Sequence, residues 1–168
     1  MLKWILLTLV AILIVIQFFR PEKNLSGDIT NDISKKYLMP DHVYQIMQTA
    51  CYDCHSNTTR YPWYSNLQPV AWWMNNHVED GKHHVNYSDY TSAPIAVQNH
   101  RFEETIEVLD ENEMPLNSYT WLGMHGKAKL TDAQKQTIIQ WAKAQMDTLK
   151  AQYPADSLIL KRRKPAEG

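Results

Sequence analysis

Cysteine is scarce in this sequence, with two residues in 168, Cys51 and Cys54, separated by Tyr52 and Asp53. Two cysteines are too few for the multi-bridge scaffold of a small secreted domain. A pair with this spacing leaves three interpretations, which are a redox-active dithiol, half of a zinc site and a haem attachment site. Glycine is also scarce, with 5 residues, which excludes collagen-like and linker-rich sequences.

Alternating strand patterns of useful length and internal repeats are both missing. Apolar residues instead recur at the three- and four-residue spacing of helices. Helices are predicted over residues 40–50, 69–80 and 101–111, with Gly81 as the stop of the second. Thr131, with Gln134 as its capping-box partner, predicts the start of a last helix. The fold class predicted from the residues is all-α, with long loops around a buried object.

Positive charge is scarce in the middle of the chain. Residues 21–160 hold 11 Lys and Arg against 17 Asp and Glu, a net charge of 11 − 17 = −6. An acidic globular part argues against a nucleic-acid partner, because such binding needs a basic face. The basic residues concentrate in Lys161–Lys164, and residues 153–168 are predicted to be a solvated, basic C-terminal tail.

Charge is absent from the N-terminal run Trp4–Phe19. Counted from Leu2 the run has 18 residues, about 27 Å as a helix, against a hydrocarbon core of ~30 Å. We predict a transmembrane signal-anchor over residues 1–20, the alternative being a cleaved signal peptide. Residues 21–39 are polar and are predicted to be a linker with some local helix, which leaves 40–152 as the functional domain.

The residue after the second cysteine is His55, so the motif is Cys-x-x-Cys-His. On a helical turn this spacing lets two thiols reach two vinyl groups of one haem and brings the histidine under the iron. A dithiol usually follows a strand, and a zinc site needs two further close ligands. We therefore predict one covalent haem c on Cys51 and Cys54, with His55 as the proximal iron ligand. Because haem is attached to such motifs outside the bacterial cytoplasm, the domain is predicted to be periplasmic, behind a single-pass anchor in the inner membrane.

The sixth iron ligand has several candidates. Met114 is preferred, because it lies in a loop before Pro115 and offers a soft thioether; Met/His ligation suits electron transfer. His77, one turn after Trp73, is the first alternative. The remaining candidates are His83, His84, His100, Met124 and His125. Arg60 is a candidate for a haem propionate contact, whereas Asp53 is expected to face solvent.

Three separated segments resemble the small bacterial haem-binding domain family. They are CYDCHSNTTRYPWYSNLQPVAWWMNNHVEDGK, EMPLNSYTWL and KLTDAQKQTIIQWAK, and together they cover about residues 35–150. The resemblance implies a cytochrome-c-like helical haem domain but no particular reaction. By position it implies that Cys51, Cys54 and His55 bind the haem and that Met114 matches the family's Met-Pro. His125 falls where the family often has a histidine.

Two classes of function are compatible with these features. The first is a membrane-anchored monohaem cytochrome, an electron carrier rather than an enzyme, that passes single electrons to redox partner proteins. The second is a haem sensor or peroxidase-like enzyme with an open sixth position, for which the segment 77–84 supplies histidines as acid or base. An assembly or haem-delivery subunit is a third possibility.

Overall fold

Seven α-helices and four short 3-10 turns make up the computed structural model, which describes residues 1–121 and 125–160. The helices are α1 Leu2–Ile16, α2 Asp41–Ala50, α3 Tyr52–His55, α4 Val70–His84, α5 Ile95–Asp110, α6 Asn117–Thr120 and α7 Asp132–Gln152. The described residues contain no strand, and a single isolated bridge joins Asn31 to Asp89. The all-α prediction is confirmed.

The N-terminal helix α1 has 15 residues, none of them buried. It is shorter than the 18-residue helix predicted, because the chain leaves the helix at Gln17. The Gln17 side chain donates to the carbonyl oxygen of Gln68 at 3.2 Å and accepts from its backbone N–H at 3.0 Å. In the described part of the chain, no helix has both the length and the apolar character needed to cross a membrane.

Helices α2 and α3 carry the cysteine motif. Helix α2 begins one residue after the predicted start and ends at the predicted residue, and its buried residues Val43 and Met47 lie four apart on one face. Cys51 ends this helix and begins the single turn of α3, where its carbonyl accepts from the backbone N–H of His55 at 3.0 Å. The motif therefore lies at a helix C-terminus, as predicted.

Helix α4 continues to His84, so the prediction that it stops at Gly81 is wrong. A glycine costs about 1 kcal/mol relative to alanine inside a helix, but it does not end the helix by itself. Here the residue serves a close packing contact. A Cβ on Gly81 would lie 2.8 Å from the carbonyl oxygen of Cys54 and 3.1 Å from its Cβ.

Helices α5 and α7 pack against each other and form the centre of the core. Helix α5 begins at Ile95, six residues before the predicted start, and α7 begins with the predicted capping box of Thr131 and Gln134. Phe102 of α5 contacts Trp141 of α7, with ring centroids 5.6 Å apart.

Residues on both sides of 40–152 contribute to this core. Burial of these residues was not expected from the predicted linker and solvated tail. Ile33 and Tyr37 are 0% and 3% exposed and belong to the core cluster. Leu158 is buried as well. Burial of apolar surface therefore ties these segments to the domain. The predicted basic cluster Lys161–Lys164 lies outside the described residues.

Candidate cofactor site

A cavity of about 650 Å³ lies between α3, α4, α5 and the loop that follows α5. Its volume falls within the roughly 300–1,000 Å³ of small-molecule and cofactor sites. The predicted site residues that line this cavity are Cys51, Cys54, His55, Arg60, His77 and Met114. Among the other candidates for the sixth ligand, His84 also lines the cavity, whereas His83, His100 and His125 do not.

The His55 imidazole has a defined orientation. Its Nδ1 lies 3.0 Å from the carbonyl oxygen of Val85, and a carbonyl can only accept, so Nδ1 carries the proton. The backbone carbonyl of His55 in turn accepts from the N–H of Tyr87 at 2.8 Å. Burial lowers the pKa of His55, which favours the neutral ring. The Nε2 lone pair is therefore the one available to a metal.

The two motif cysteines do not form a disulfide with each other. Burial raises the pKa of Cys51 to about 12 and that of Cys54 to about 11. A reactive dithiol depends on a lowered thiol pKa, so these surroundings are the opposite of what the dithiol interpretation needs. In the described residues, no three His, Cys, Asp or Glu side chains form a group that could hold a metal ion, as a zinc site would require.

The loop that carries Met114 is fixed to the end of α5. The backbone N–H groups of Glu113 and Met114 both donate to the carbonyl oxygen of Val108, at 2.9 and 3.1 Å. The half-buried Met114 side chain then lines the same cavity as His55. A thioether and an imidazole therefore line the same cavity, and they are the donor pair of Met/His haem ligation.

Two histidines of α4 also line the cavity. The Nδ1 of His77 lies 2.8 Å from the carbonyl oxygen of Trp73, which leaves its Nε2 free. His84 lies two turns further along the same helix, and the sequence interpretation gave it no preferred role. Residues seven apart share a helix face. Extending the predicted helix beyond Gly81 would have identified His84 as a neighbour of the site.

Arg60 lines the cavity but is already paired. Its Nε donates to Asp53 Oδ1 at 3.0 Å, and its Nη2 donates to the carbonyl oxygen of Gln48 at 2.9 Å. The prediction that Asp53 faces solvent is wrong, since the Asp53 side chain is 12% exposed. It also accepts a hydrogen bond from the hydroxyl of Tyr119 at 2.8 Å. Asp53 therefore links α3 to the following loop and to α6.

His125 does not line the cavity. Its Nε2 lies 2.5 Å from the hydroxyl of Tyr64, and its ring stacks on Tyr119 at 4.1 Å between centroids. Another candidate, His100, lies outside the lining and contacts Glu103 and Glu104. Met124 lies outside the described residues.

The cavity and its donors fit a haem group. One wall offers two thiols and an imidazole oriented by a backbone carbonyl. Most of the surface of the cavity is apolar, although charged side chains also line it. Orientation of a ligating histidine through its second nitrogen is the usual arrangement at metal sites. The fold and site therefore define an all-α, haem-binding class of protein.

Comparison with known proteins agrees with this class. A family model described as "Haem-binding domain" matches residues 11–144, and the chain belongs to this family. The resemblance seen in the sequence is thereby confirmed, and haem is the cofactor. The chain has no significant match to a curated protein. It has none to a solved structure either.

Proposed function

We propose that this chain is a monohaem c-type cytochrome that transfers single electrons. The observation that carries the proposal is the set of donors around one cavity: the thiols of Cys51 and Cys54, the imidazole of His55 and the thioether of Met114. When bound, the haem supplies an iron centre that accepts and releases one electron. This function needs no catalytic side chain.

The residues of the chain have distinct tasks in this proposal. Cys51 and Cys54 hold the cofactor through thioether bonds, which fix it against loss. His55 provides the proximal nitrogen, and the Val85 carbonyl keeps its ring in one orientation. Met114 provides the sixth ligand, which closes the iron to exogenous ligands and raises its potential. Its loop is held by two backbone hydrogen bonds, so little reorganisation accompanies electron transfer.

We also propose that the apolar N-terminal segment attaches the domain to the inner membrane, with the domain in the periplasm. Support comes from the uncharged run Trp4–Phe19 and from the exposure of the apolar side chains of α1. Attachment raises the effective concentration of the domain near membrane redox partners. Retention of the full chain in the membrane fraction after high-salt and alkaline washing is expected. Release by either wash would contradict the attachment.

The test of electron transfer is a redox titration of the purified full chain, followed by optical spectroscopy. We expect a low-spin spectrum in both oxidation states, a reversible one-electron transition and no spectral change on adding carbon monoxide. A five-coordinate spectrum with rapid carbon monoxide binding would contradict the proposal. It would favour the sensor or peroxidase-like alternative.

One feature of the cavity supports the peroxidase-like alternative. His77 and His84 line the same cavity, and a peroxidase-like site needs an acid or base close to the iron. A peroxidase-like enzyme would respond to substitutions differently from an electron carrier. Peroxide-dependent oxidation of a dye should fall by at least about tenfold in His77→Ala or His84→Ala, with Met114→Ala retaining it. If the wild type shows no such turnover, the peroxidase-like alternative is excluded.

A further inference from the structure

Arg101 carries an unsatisfied polar atom. Its Nη1 is buried and has no hydrogen-bond partner among residues 1–121 and 125–160. The residue lines the cofactor cavity, and its guanidinium carbon lies 5.6 Å from the centre of the Tyr90 ring. A guanidinium that lines the cavity and has no carboxylate partner among the described residues calls for an acceptor that enters the cavity.

The charges around the cavity make Arg101 distinctive. The described lining contains two arginines, Arg60 and Arg101, and no lysine. Its acidic residues are Asp53, Asp80, Glu104, Glu107, Glu111 and Glu113. Arg60 is paired with Asp53, as described above. Glu104, one turn after Arg101, contacts the Nε2 of His100 at 3.4 Å. Within the described residues, Arg101 is the cation of the lining that has no carboxylate partner.

The backbone of α5 sets the position of Arg101. Arg101, Glu104, Thr105 and Val108 all line the cavity, and this spacing is one face of a helix. The Thr105 hydroxyl donates to the carbonyl oxygen of Arg101 at 2.7 Å, one turn into the helix. The Tyr90 ring beside the guanidinium is itself held, since its hydroxyl donates to the carbonyl oxygen of Gln98 at 2.7 Å. The donor is therefore preorganised.

We propose that Arg101 binds a carboxylate of the cofactor, a haem propionate. The inference rests on the proposed occupancy of this cavity by haem attached at Cys51 and Cys54. The vinyl groups and the propionates of haem lie on opposite edges of the ring. The thioether bonds would therefore hold the vinyl edge, and an arginine of the lining that reaches the propionates would hold the other edge. An arginine fork matches a carboxylate geometrically and stays charged at every accessible pH.

The test is the midpoint potential of the haem-loaded full chain, measured against pH. The variants are R101Q, the charge-retaining R101K and K150Q. The last removes one positive charge from an exposed position outside the cavity lining. A guanidinium beside a propionate lowers the pKa of that propionate. The potential rises as pH falls through this pKa, because protonation removes a negative charge beside the iron.

We expect R101Q to shift this rise in midpoint potential toward higher pH. At pH values above the propionate pKa, we expect R101Q to have a lower potential than the wild type. R101K should show a smaller shift in the same direction, which keeps the assignment testable if R101Q does not accumulate with haem. K150Q should follow the wild type. An R101Q profile identical to the wild type, or a shift seen in R60Q but not in R101Q, would overturn the assignment while leaving the proposed function intact. A wild-type chain that carries no covalent haem would instead remove the proposed function together with this inference.

Discussion

His55 donates its Nδ1–H to the carbonyl oxygen of Val85, the residue that follows the last residue of α4. This bond makes the orientation of the imidazole depend on how closely the last turn of α4 approaches the cysteine motif. The approach is close because Gly81, four residues before Val85, faces the backbone of Cys54 without a side chain between them. The acceptor is a backbone atom, so its position is a property of the helix rather than of a replaceable side chain.

Replacing Gly81 by alanine should therefore destabilise the protein. In an exposed helix this change stabilises by about 1 kcal/mol. Here the new methyl group meets a carbonyl oxygen at 2.8 Å, and we expect a loss of about 1–3 kcal/mol in the free energy of unfolding. Chemical denaturation of the wild type and the variant measures this difference in the free energy of unfolding.

Gly126→Ala is the matched control, since no atom of the described residues lies within 4 Å of its added Cβ. We expect it to change the free energy of unfolding by less than about 0.5 kcal/mol. Equal effects of the two substitutions would show that the contact between α4 and Cys54 is not the cause.

Replacing Met114 by alanine should convert the iron from low spin to high spin and lower its midpoint potential. The thioether that stabilises the reduced iron is lost, and the sixth position opens. Optical spectra with and without carbon monoxide report the change. Met74→Leu is the control, because Met74 also lines the cavity but is buried on α4. A low-spin spectrum that persists in Met114→Ala would transfer the role to His77 or His84.

Replacing Asp53 by alanine should cost about 3 kcal/mol of stability. The carboxylate accepts from the Tyr119 hydroxyl and from the backbone N–H of Arg60, and hydrogen bonds to charged groups contribute about 1.5–3 kcal/mol each. Arg60→Ala should cost less than about 1 kcal/mol, because the Arg60 side chain is 62% exposed and such ion pairs are weak. The reverse order of the two losses would contradict the role assigned to Asp53.

The stability of the haem-free protein should fall above pH 9. Burial raises the pKa of Cys51 from 9.0 to about 12 and that of Cys54 to about 11, so the folded state keeps both thiols protonated after the unfolded state has lost these protons. Stability is unaffected below the unfolded-state pKa and declines as pH rises toward the folded-state values. Relative to a Cys51→Ala/Cys54→Ala variant, we expect a loss of about 1 kcal/mol per thiol between pH 9 and pH 10.

The same comparison in the haem-loaded protein should show no such loss, since a thioether sulfur does not titrate. Unfolding curves at pH 8, 9 and 10 measure the difference. A pH dependence equal to that of the haem-free protein would indicate thiols that are still free.

The elements that the sequence predicted well are those with local signals. The capping box at Thr131 and the apolar spacing of Val43 and Met47 are short-range patterns, and both correspond to helices that begin within one residue of the expected starts. Gly81 was misinterpreted because its role is set by Cys54, 27 residues earlier in the chain. No local pattern distinguishes a glycine that ends a helix from one that admits a neighbouring backbone.

The site residues, too, were predicted where a short local pattern marks them. The cysteine motif and Met114 carry recognisable chemistry in short segments, and both line the cavity. Arg60 and Arg101 differ only in their tertiary partners, which a sequence does not display. The polar segment before α2 was expected to be a linker, yet it supplies Ile33 and Tyr37 to the core, because two apolar residues four apart were too few to predict burial.

The covalent attachment of haem to Cys51 and Cys54 is the central claim, and a pyridine haemochrome assay after acid–acetone extraction tests it most directly. The wild-type polypeptide should retain one haem per chain, with the spectrum of a haem whose two vinyl groups are saturated. The Cys51→Ala/Cys54→Ala variant should release any haem it holds into the organic phase. Extraction of all haem from the wild type would contradict the account.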